Sequence, residues 1–309
     1  MIICCGEALI DMIPTINGNG ETALLPRPGG AVFNTAIACG RLGANTGFIS
    51  GVSTDLFGMQ LRQTLAQSNV NTEFLVTSER PTTLAFVSIK NNQASYTFYD
   101  ENTAGRMLEL QQMPTIPTAT LALFFGGISL INPPCATFFQ HIAKQEQKKR
   151  LIMLDPNIRP AFIQDDDSYR RRLDDFMGYC DILKLSDEDL NWLIPGDDSL
   201  AHKIETLFVD RQFLLILTRG ENGSAAYIHG KKIAEAQAIP TQISDTVGAG
   251  DTFNAGFLVN LDRHGLLSKK AVNNLSPEQI SAALDNAARV SSITVSRVGA
   301  NPPWQHELN

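Results

Sequence analysis

Six short apolar runs punctuate the chain, each unbroken by polar alternation and followed by turn residues and then a helical spacing of apolar side chains. They are Ile2–Cys5, Gly47–Ser50, Leu121–Phe125, Leu151–Leu154, Ile182–Leu185 and Phe213–Leu217. A strand that buries one face alternates, whereas a strand covered on both faces does not. These runs therefore predict parallel strands sandwiched between helices. The helical candidates fall between them. Val32–Leu42 carries Phe33, Ala36, Ile37 and Gly40 on one face, with Gly43 at the C′ position, and Ala136–Arg150 and the charge-rich Tyr169–Tyr179 follow. Strand and helix in alternation predict a doubly wound, mostly parallel α/β sheet flanked by helices.

One region departs from this pattern. Thr82–Lys90 and Ala94–Tyr99 alternate with period two and are joined through Asn91-Asn92, which predicts an antiparallel hairpin with one open face. Met12–Leu25 is a candidate to pair with it. The expectation is one domain over residues 1–309, with a small β-sheet lid built from two insertions at about 12–25 and 80–106.

Composition narrows the function classes. Apolar residues are 43% of the chain and charged residues 18%, enough to build a core, which excludes a disordered or fibrous chain. A formal charge of −7 without a basic cluster argues against nucleic acid or an anionic membrane as partner. The longest apolar stretch, Leu121 to Ile131, is about half the roughly 20 residues a spanning helix needs. The five cysteines, 4, 5, 39, 135 and 180, show no metal-ligand or CxxC spacing and read as free thiols. With a first strand where a leader would stand, a cytoplasmic protein is expected.

In open parallel sheets, ligands bind beyond the carboxyl ends of the strands. There the chain carries Glu7 and Asp11, then Asp155-Pro-Asn-Ile-Arg159, Ser186-Asp-Glu-Asp189 and Thr218-Arg-Gly-Glu-Asn-Gly223. A single carboxylate at such a place is as often a helix cap as a ligand group, but four polar strand ends point to a crevice. The most informative stretch is Asp245-Thr-Val-Gly-Ala-Gly-Asp-Thr-Phe-Asn-Ala-Gly256. Gly248 and Gly250 uncover amide N–H groups just where Phe253, Phe257 and Leu261 announce a helix, so an anion hole is expected at its N-terminus. Asp251, in the first turn, either complements the helix dipole or serves as a general base beside that hole. No Gly-x4-Gly-Lys-Ser/Thr and no GxGxxG after the first strand is present, so neither a P-loop nor a dinucleotide site is expected.

The Asp245–Gly256 string resembles the C-terminal signature of the ribokinase-like (PfkB) carbohydrate kinases. Gly29-Gly-Ala-Val-Phe-Asn34, Ala38-Cys-Gly-Arg-Leu-Gly43 and Gly51-Val-Ser-Thr-Asp-Leu-Phe-Gly58 resemble the N-terminal one. The likeness runs from Gly6-Glu-Ala-Leu-Ile-Asp11 to Ser296-Arg-Val-Gly-Ala-Asn301. Within the family the chain is most similar to bacterial fructokinases, through Arg80-Pro-Thr-Thr83, Phe98-Tyr-Asp-Glu-Asn-Thr-Ala-Gly-Arg106, Asp155–Arg159 and Lys184-Leu-Ser-Asp187.

The resemblance implies a ribokinase-like fold and an ATP-dependent sugar kinase that phosphorylates a primary hydroxyl. By it, Asp251 is the catalytic base, and the amides of Gly248, Ala249 and Gly250 hold the charge on the transferred group. Asp11, Gly29, Gly30, Asn34, Phe98, Arg106 and Arg159 match substrate-binding positions. Ser186, Thr218, Gly220, Gly223 and Asn286 match nucleotide positions. Asp245 with main-chain oxygens of Val247, Thr294 and Gly299 resembles a site for K⁺. The family's Mg²⁺-associated Asn-x-x-Glu is replaced by Ser186-Asp-Glu-Asp189, which leaves Asp189, or Glu188 in its stead, for that role. Fructose is the first choice of acceptor and 2-keto-3-deoxygluconate the second, the acidic Asp100 and Glu101 favouring a neutral sugar. The different-class alternative is a non-catalytic sugar-binding regulator, against which stands the intact Gly-Ala-Gly-Asp. A lid hairpin with an apolar face also admits a homodimer.

Overall fold

The apolar runs become the interior strands of a nine-stranded sheet. The computed structural model describes residues 1–90 and 93–308, so the Asn91-Asn92 turn lies outside the described residues. In chain order the strands are β1 (Ile2–Cys5), β2 (Leu9–Ile16), β3 (Thr22–Gly29), β4 (Thr46–Ile49), β5 (Gly51–Ser53), β6 (Val70–Asn71), β7 (Val76–Ser78) and β8 (Leu84–Lys90). Then follow β9 (Gln93–Tyr99), β10 (Ala122–Gly126), β11 (Leu151–Asp155), β12 (Ile182–Ser186), β13 (Leu214–Thr218), β14 (Ser224–Ile228) and β15 (Lys231–Ala236). The helices are α1 (Ala31–Arg41), α2 (Leu56–Gln67), α3 (Cys135–Glu146), α4 (Asp166–Tyr179), α5 (Asp187–Leu193), α6 (Leu200–Leu207), α7 (Ala249–Arg263), α8 (Lys269–Val272) and α9 (Pro277–Val295).

The main sheet runs β15-β14-β13-β12-β11-β10-β1-β4-β6, parallel from β13 to β6. Successive residues of β1 enter different cores. Ile2 and Cys4 join the apolar layer under α1, α7 and α9, and Ile3 and Cys5 the layer under α3, α4 and α6. That two-sided burial is why the runs do not alternate. From β1 the chain builds first toward β4 and then, with β10, toward the opposite edge. The switch point lies between β1 and β10, where an open α/β sheet forms its ligand crevice.

Two features differ from the sequence expectation. β14 and β15 form an antiparallel hairpin on one edge, which no apolar run announces because β14 is alanine-rich and β15 half polar. Its two-residue turn, His229-Gly230, has positive φ at both positions (49° and 75°), the geometry of a tight hairpin, but with histidine where Asn or Asp would signal it. The lid is a separate four-stranded sheet, β3-β2-β8-β9, and its first half spans Leu9–Gly29 rather than 12–25. Asp11 and Gly29 therefore belong to lid strands. The two insertions join through a parallel β2–β8 pairing, while β2–β3 and β8–β9 are antiparallel.

Candidate active site

Two cavities meet at the N-terminus of α7. The first, about 280 Å³, is roofed by Leu9 and Asp11 of β2 and by Tyr96 and Phe98 of β9. Gly30, Ala31 and Asn34 at the start of α1 form one wall, Glu7 and Gly127 after β1 and β10 the floor, and Asn157 and Arg159 after β11 another wall. The segment Thr246–Asp251 closes it. The second cavity, about 740 Å³, lies between Thr218, Gly220 and Gly223 after β13, the segment Gln237–Thr241, and Ala288, Ser291 and Ser292 of α9. Thr246, Ala249 and Gly250 line both, so a group bridging the two ligands passes over the first turn of α7.

That turn is built by its glycines. Gly248 is the N-cap residue, with φ 79° and no side chain capping the helix, and a Cβ there would come within 2.7 Å of the Ala300 side chain. The Ala249 N–H donates to the Thr246 carbonyl at 3.3 Å, and the rest of the helix end, with no side-chain cap, and the helix dipole make a positive end toward both cavities. Asp251 sits in this turn, 7% exposed, and burial pushes its carboxyl up to about 7, against the lowering effect of the Asn34 amide that donates to Oδ2 at 2.9 Å. Burial likewise raises the Asp11 carboxyl to about 7. Two acids at one small cavity are thus poised near neutrality.

Glu7 organises the floor. Its Oε1 accepts the Ala31 N–H at 2.8 Å and the Val32 N–H at 3.4 Å, and its Oε2 accepts the Ser129 N–H at 3.3 Å. α1 has Gly30 at its N-cap, with φ 110° and no side-chain cap, so Glu7 satisfies the helix end from another element. Gly29 does not line the cavity. A Cβ there would lie 2.2 Å from Asp11 Oδ2, so its glycine makes room for the Asp11 carboxylate.

Not every expected residue reaches a ligand cavity. Arg106 lines neither, because its guanidinium is paired with Asp100 at 2.9 Å and donates to the Pro133 carbonyl at 2.8 Å, bracing the base of the lid. Asn286 lies outside the second cavity, donating to the Gly256 carbonyl at 2.7 Å where α7 and α9 approach closely. Ser186 and Asp189 also line neither. They form a capping box at the start of α5, and the remaining Asp189 oxygen accepts the Ile158 N–H at 2.8 Å. Both oxygens of the shorter Asp189 side chain are thus taken up by Ser186 and Ile158.

Asp245 clasps two loops, its oxygens accepting the Val247 N–H at 3.0 Å and the Gly299 N–H at 2.9 Å, while Thr294 is buried in the last turn of α9. This brings the chain segments of Val247, Thr294 and Gly299 together beside the α7 turn. Glu7 and Asn157, expected only as polar groups at strand ends, line the first cavity, as do Tyr96 and Gly127, which the sequence reading did not single out. Tyr96 was detectable, since it precedes Phe98 by two positions and so shares its strand face.

Residues 1–307 match the family described as pfkB family carbohydrate kinase. The chain belongs to this family of carbohydrate kinases. A fructokinase of Rhizobium leguminosarum bv. trifolii is 44% identical over 283 residues, 91% of this chain and 85% of the relative. A fructokinase of Klebsiella pneumoniae is 34% identical over 265 residues, 84% of each. The crystal structure of fructokinase from Xylella fastidiosa with bound ATP superposes with a TM-score of 0.88 at 26% identity, covering 99% of this chain and 96% of that one. The kinase is accordingly an ATP-dependent phosphotransferase, and among the described residues no helix is long and apolar enough to cross a membrane.

Proposed function

We propose that the kinase transfers the γ-phosphoryl group of Mg-ATP to a primary hydroxyl of fructose, with the sugar in the smaller cavity and the nucleotide in the larger. The observation that carries this reading is the shared border of the two cavities at Ala249 and Gly250, with Asp251 beside it. Asp251 takes the hydroxyl proton as the sugar oxygen attacks the γ-phosphorus and the bond to the ADP oxygen breaks. The α7 amides and dipole stabilise the charge spread over the phosphoryl oxygens. A base with its pKa near 7 is matched to work at neutral pH.

Fructose is supported by charge. The sugar cavity is bordered by the carboxylates of Glu7, Asp11 and Asp251 and by one cation, Arg159. Arg106, the other guanidinium named as a partner for an acid sugar, is already paired with Asp100. A carboxylate-bearing acceptor such as 2-keto-3-deoxygluconate would face three acids with one arginine, whereas a neutral ketose meets hydrogen-bond acceptors for its hydroxyls. The named relatives, fructokinases, support the same choice.

Magnesium enters with the nucleotide as substrate, since Asp189, the first of the two acids expected near it, has both oxygens engaged. The two loops clasped by Asp245 suit a monovalent cation held largely by carbonyls, whose charge would support the α7 turn. The test is ADP release from Mg-ATP with fructose, glucose, mannose, ribose, 2-keto-3-deoxygluconate, adenosine or no acceptor, each with and without K⁺. Turnover on fructose above the others is expected, with stimulation by K⁺. Preference for 2-keto-3-deoxygluconate would overturn the acceptor, and silence from a folded protein that binds ATP would favour a sugar-binding regulator.

A further inference from the structure

Behind the junction of the two cavities lies a buried charged cluster that the transfer scheme leaves unused. Lys184, on β12, is 4% exposed, and its ammonium donates to Asp155 Oδ2 at 3.0 Å. Asp155, closing β11 and 2% exposed, receives the Asn254 amide on the same oxygen at 2.7 Å, while Oδ1 accepts the Asn157 N–H at 3.2 Å. Asn254 lies on α7 three residues after Asp251, one turn up on the same side of the helix. Its Oδ1 is buried without a hydrogen-bond partner among the described residues. Neither Lys184 nor Asp155 lines a cavity.

Gly250 gives the direction of the pair. A Cβ on Gly250 would stand 3.2 Å from Lys184 Nζ, and outside its chain neighbours and α7's own backbone no other atom lies within 4 Å of that point. The ammonium is therefore the near end of the ion pair, and the Asp155 carboxylate the far end. As a stability device such a pair is weak, because removing two charges from water costs about as much as their attraction returns, and apolar replacement of a buried pair is often neutral. As an electrostatic device it is well placed. A positive charge in a low-dielectric interior, directly behind a residue that borders both ligands, is felt strongly by the charge of a phosphoryl group in transfer.

We propose that Lys184 is a positioning residue for phosphoryl transfer: aimed by Asp155, its buried ammonium stands behind Gly250, reinforces the anion hole and holds the first turn of α7 in register. This rests on the phosphoryl-transfer reading above. Steady-state kinetics with fructose and Mg-ATP, with thermal unfolding in parallel, test it on the parent enzyme, Lys184→Met and the double variant Lys184→Met with Asp155→Asn. The double variant removes both charges of the pair, so neither is left without its partner, and it is expected to unfold near the parent temperature. In both variants kcat is expected to fall on the order of 100-fold, the size of losing one donor from an anion hole, with the KM for fructose nearly unchanged. Lys184→Arg, which keeps the charge, is expected to recover part of that kcat. A folded double variant with parental kcat, or one impaired only in KM, overturns the proposal while leaving the kinase reading intact. A parent enzyme inactive on every acceptor overturns both.

Discussion

Asp251 is a carboxylate placed where folding works against its charge. Its native pKa of about 7 lies above the ordinary aspartate value of 3.8, so between those values the native state holds a proton that the unfolded chain has released. The stability contributed by the neutral acid is therefore full below about pH 4 and is lost as pH rises through 7. The proposed mechanism requires the opposite, the ionised base, so kcat/KM is expected to rise with pH through the region near 7. Asp251→Asn separates the two demands. The amide still accepts from Asn34, and kcat is expected to drop on the order of 1,000-fold with ATP and fructose binding retained. Its Tm is expected to exceed that of the parent at pH 8, with the difference shrinking toward pH 4. A variant with near-parental kcat would remove Asp251 as the base, and a Tm difference independent of pH would contradict its raised pKa. At this scale the Gly-Ala-Gly-Asp string was legible because its chemistry is local: a turn, an uncapped helix end and an acid within it. The pairing of Arg106 was not legible, because its matching position says nothing of the Asp100 carboxylate and Pro133 carbonyl that claim its guanidinium.

Among the elements, α7 and α1 begin with glycines at positive φ and lack side-chain caps of their own. α1 borrows its cap from Glu7 after β1, and α7 leaves its first turn open to the ligands. Gly248→Ala is expected to destabilise the fold by roughly 1–3 kcal/mol, since a Cβ residue would be forced into left-handed backbone and against Ala300. Urea unfolding measures that cost, and on the proposed mechanism, in which this turn is the anion hole, kcat is expected to fall with it. An unperturbed midpoint would show that the turn relaxes without strain. The central parallel strands and their helices were readable because two-sided burial writes itself as an unbroken apolar run. The β14–β15 hairpin was not, because an edge pair of small and polar residues is made by backbone hydrogen bonds that leave little trace in side-chain type.

For the whole molecule, the small sheet β3-β2-β8-β9 supplies the roof of the smaller cavity, proposed for the sugar, and the main sheet supplies its floor and the larger cavity, proposed for the nucleotide. Phe98 packs on Phe162 at 4.7 Å between ring centroids, tying the roof to the segment after β11. Phe98→Ala is expected to raise the KM for fructose by roughly 10- to 100-fold, the worth of one buried aromatic side chain, and to leave the KM for ATP in place. An unchanged fructose KM would show that the roof does not close on the sugar. What the sequence by itself determined is the α/β class, the lid, and the acid-bearing glycine turn, since each follows from periodicity or from neighbours a few residues apart. Which side chains reach a ligand was decided only in three dimensions. Asp189 and Asn286 are drawn away by acceptors and donors from distant segments, and Lys184 is drawn under Gly250 by Asp155 from the neighbouring strand. The physical reason is that a hydrogen bond or ion pair depends on distance in space, and strands adjacent in the sheet are far apart in the chain.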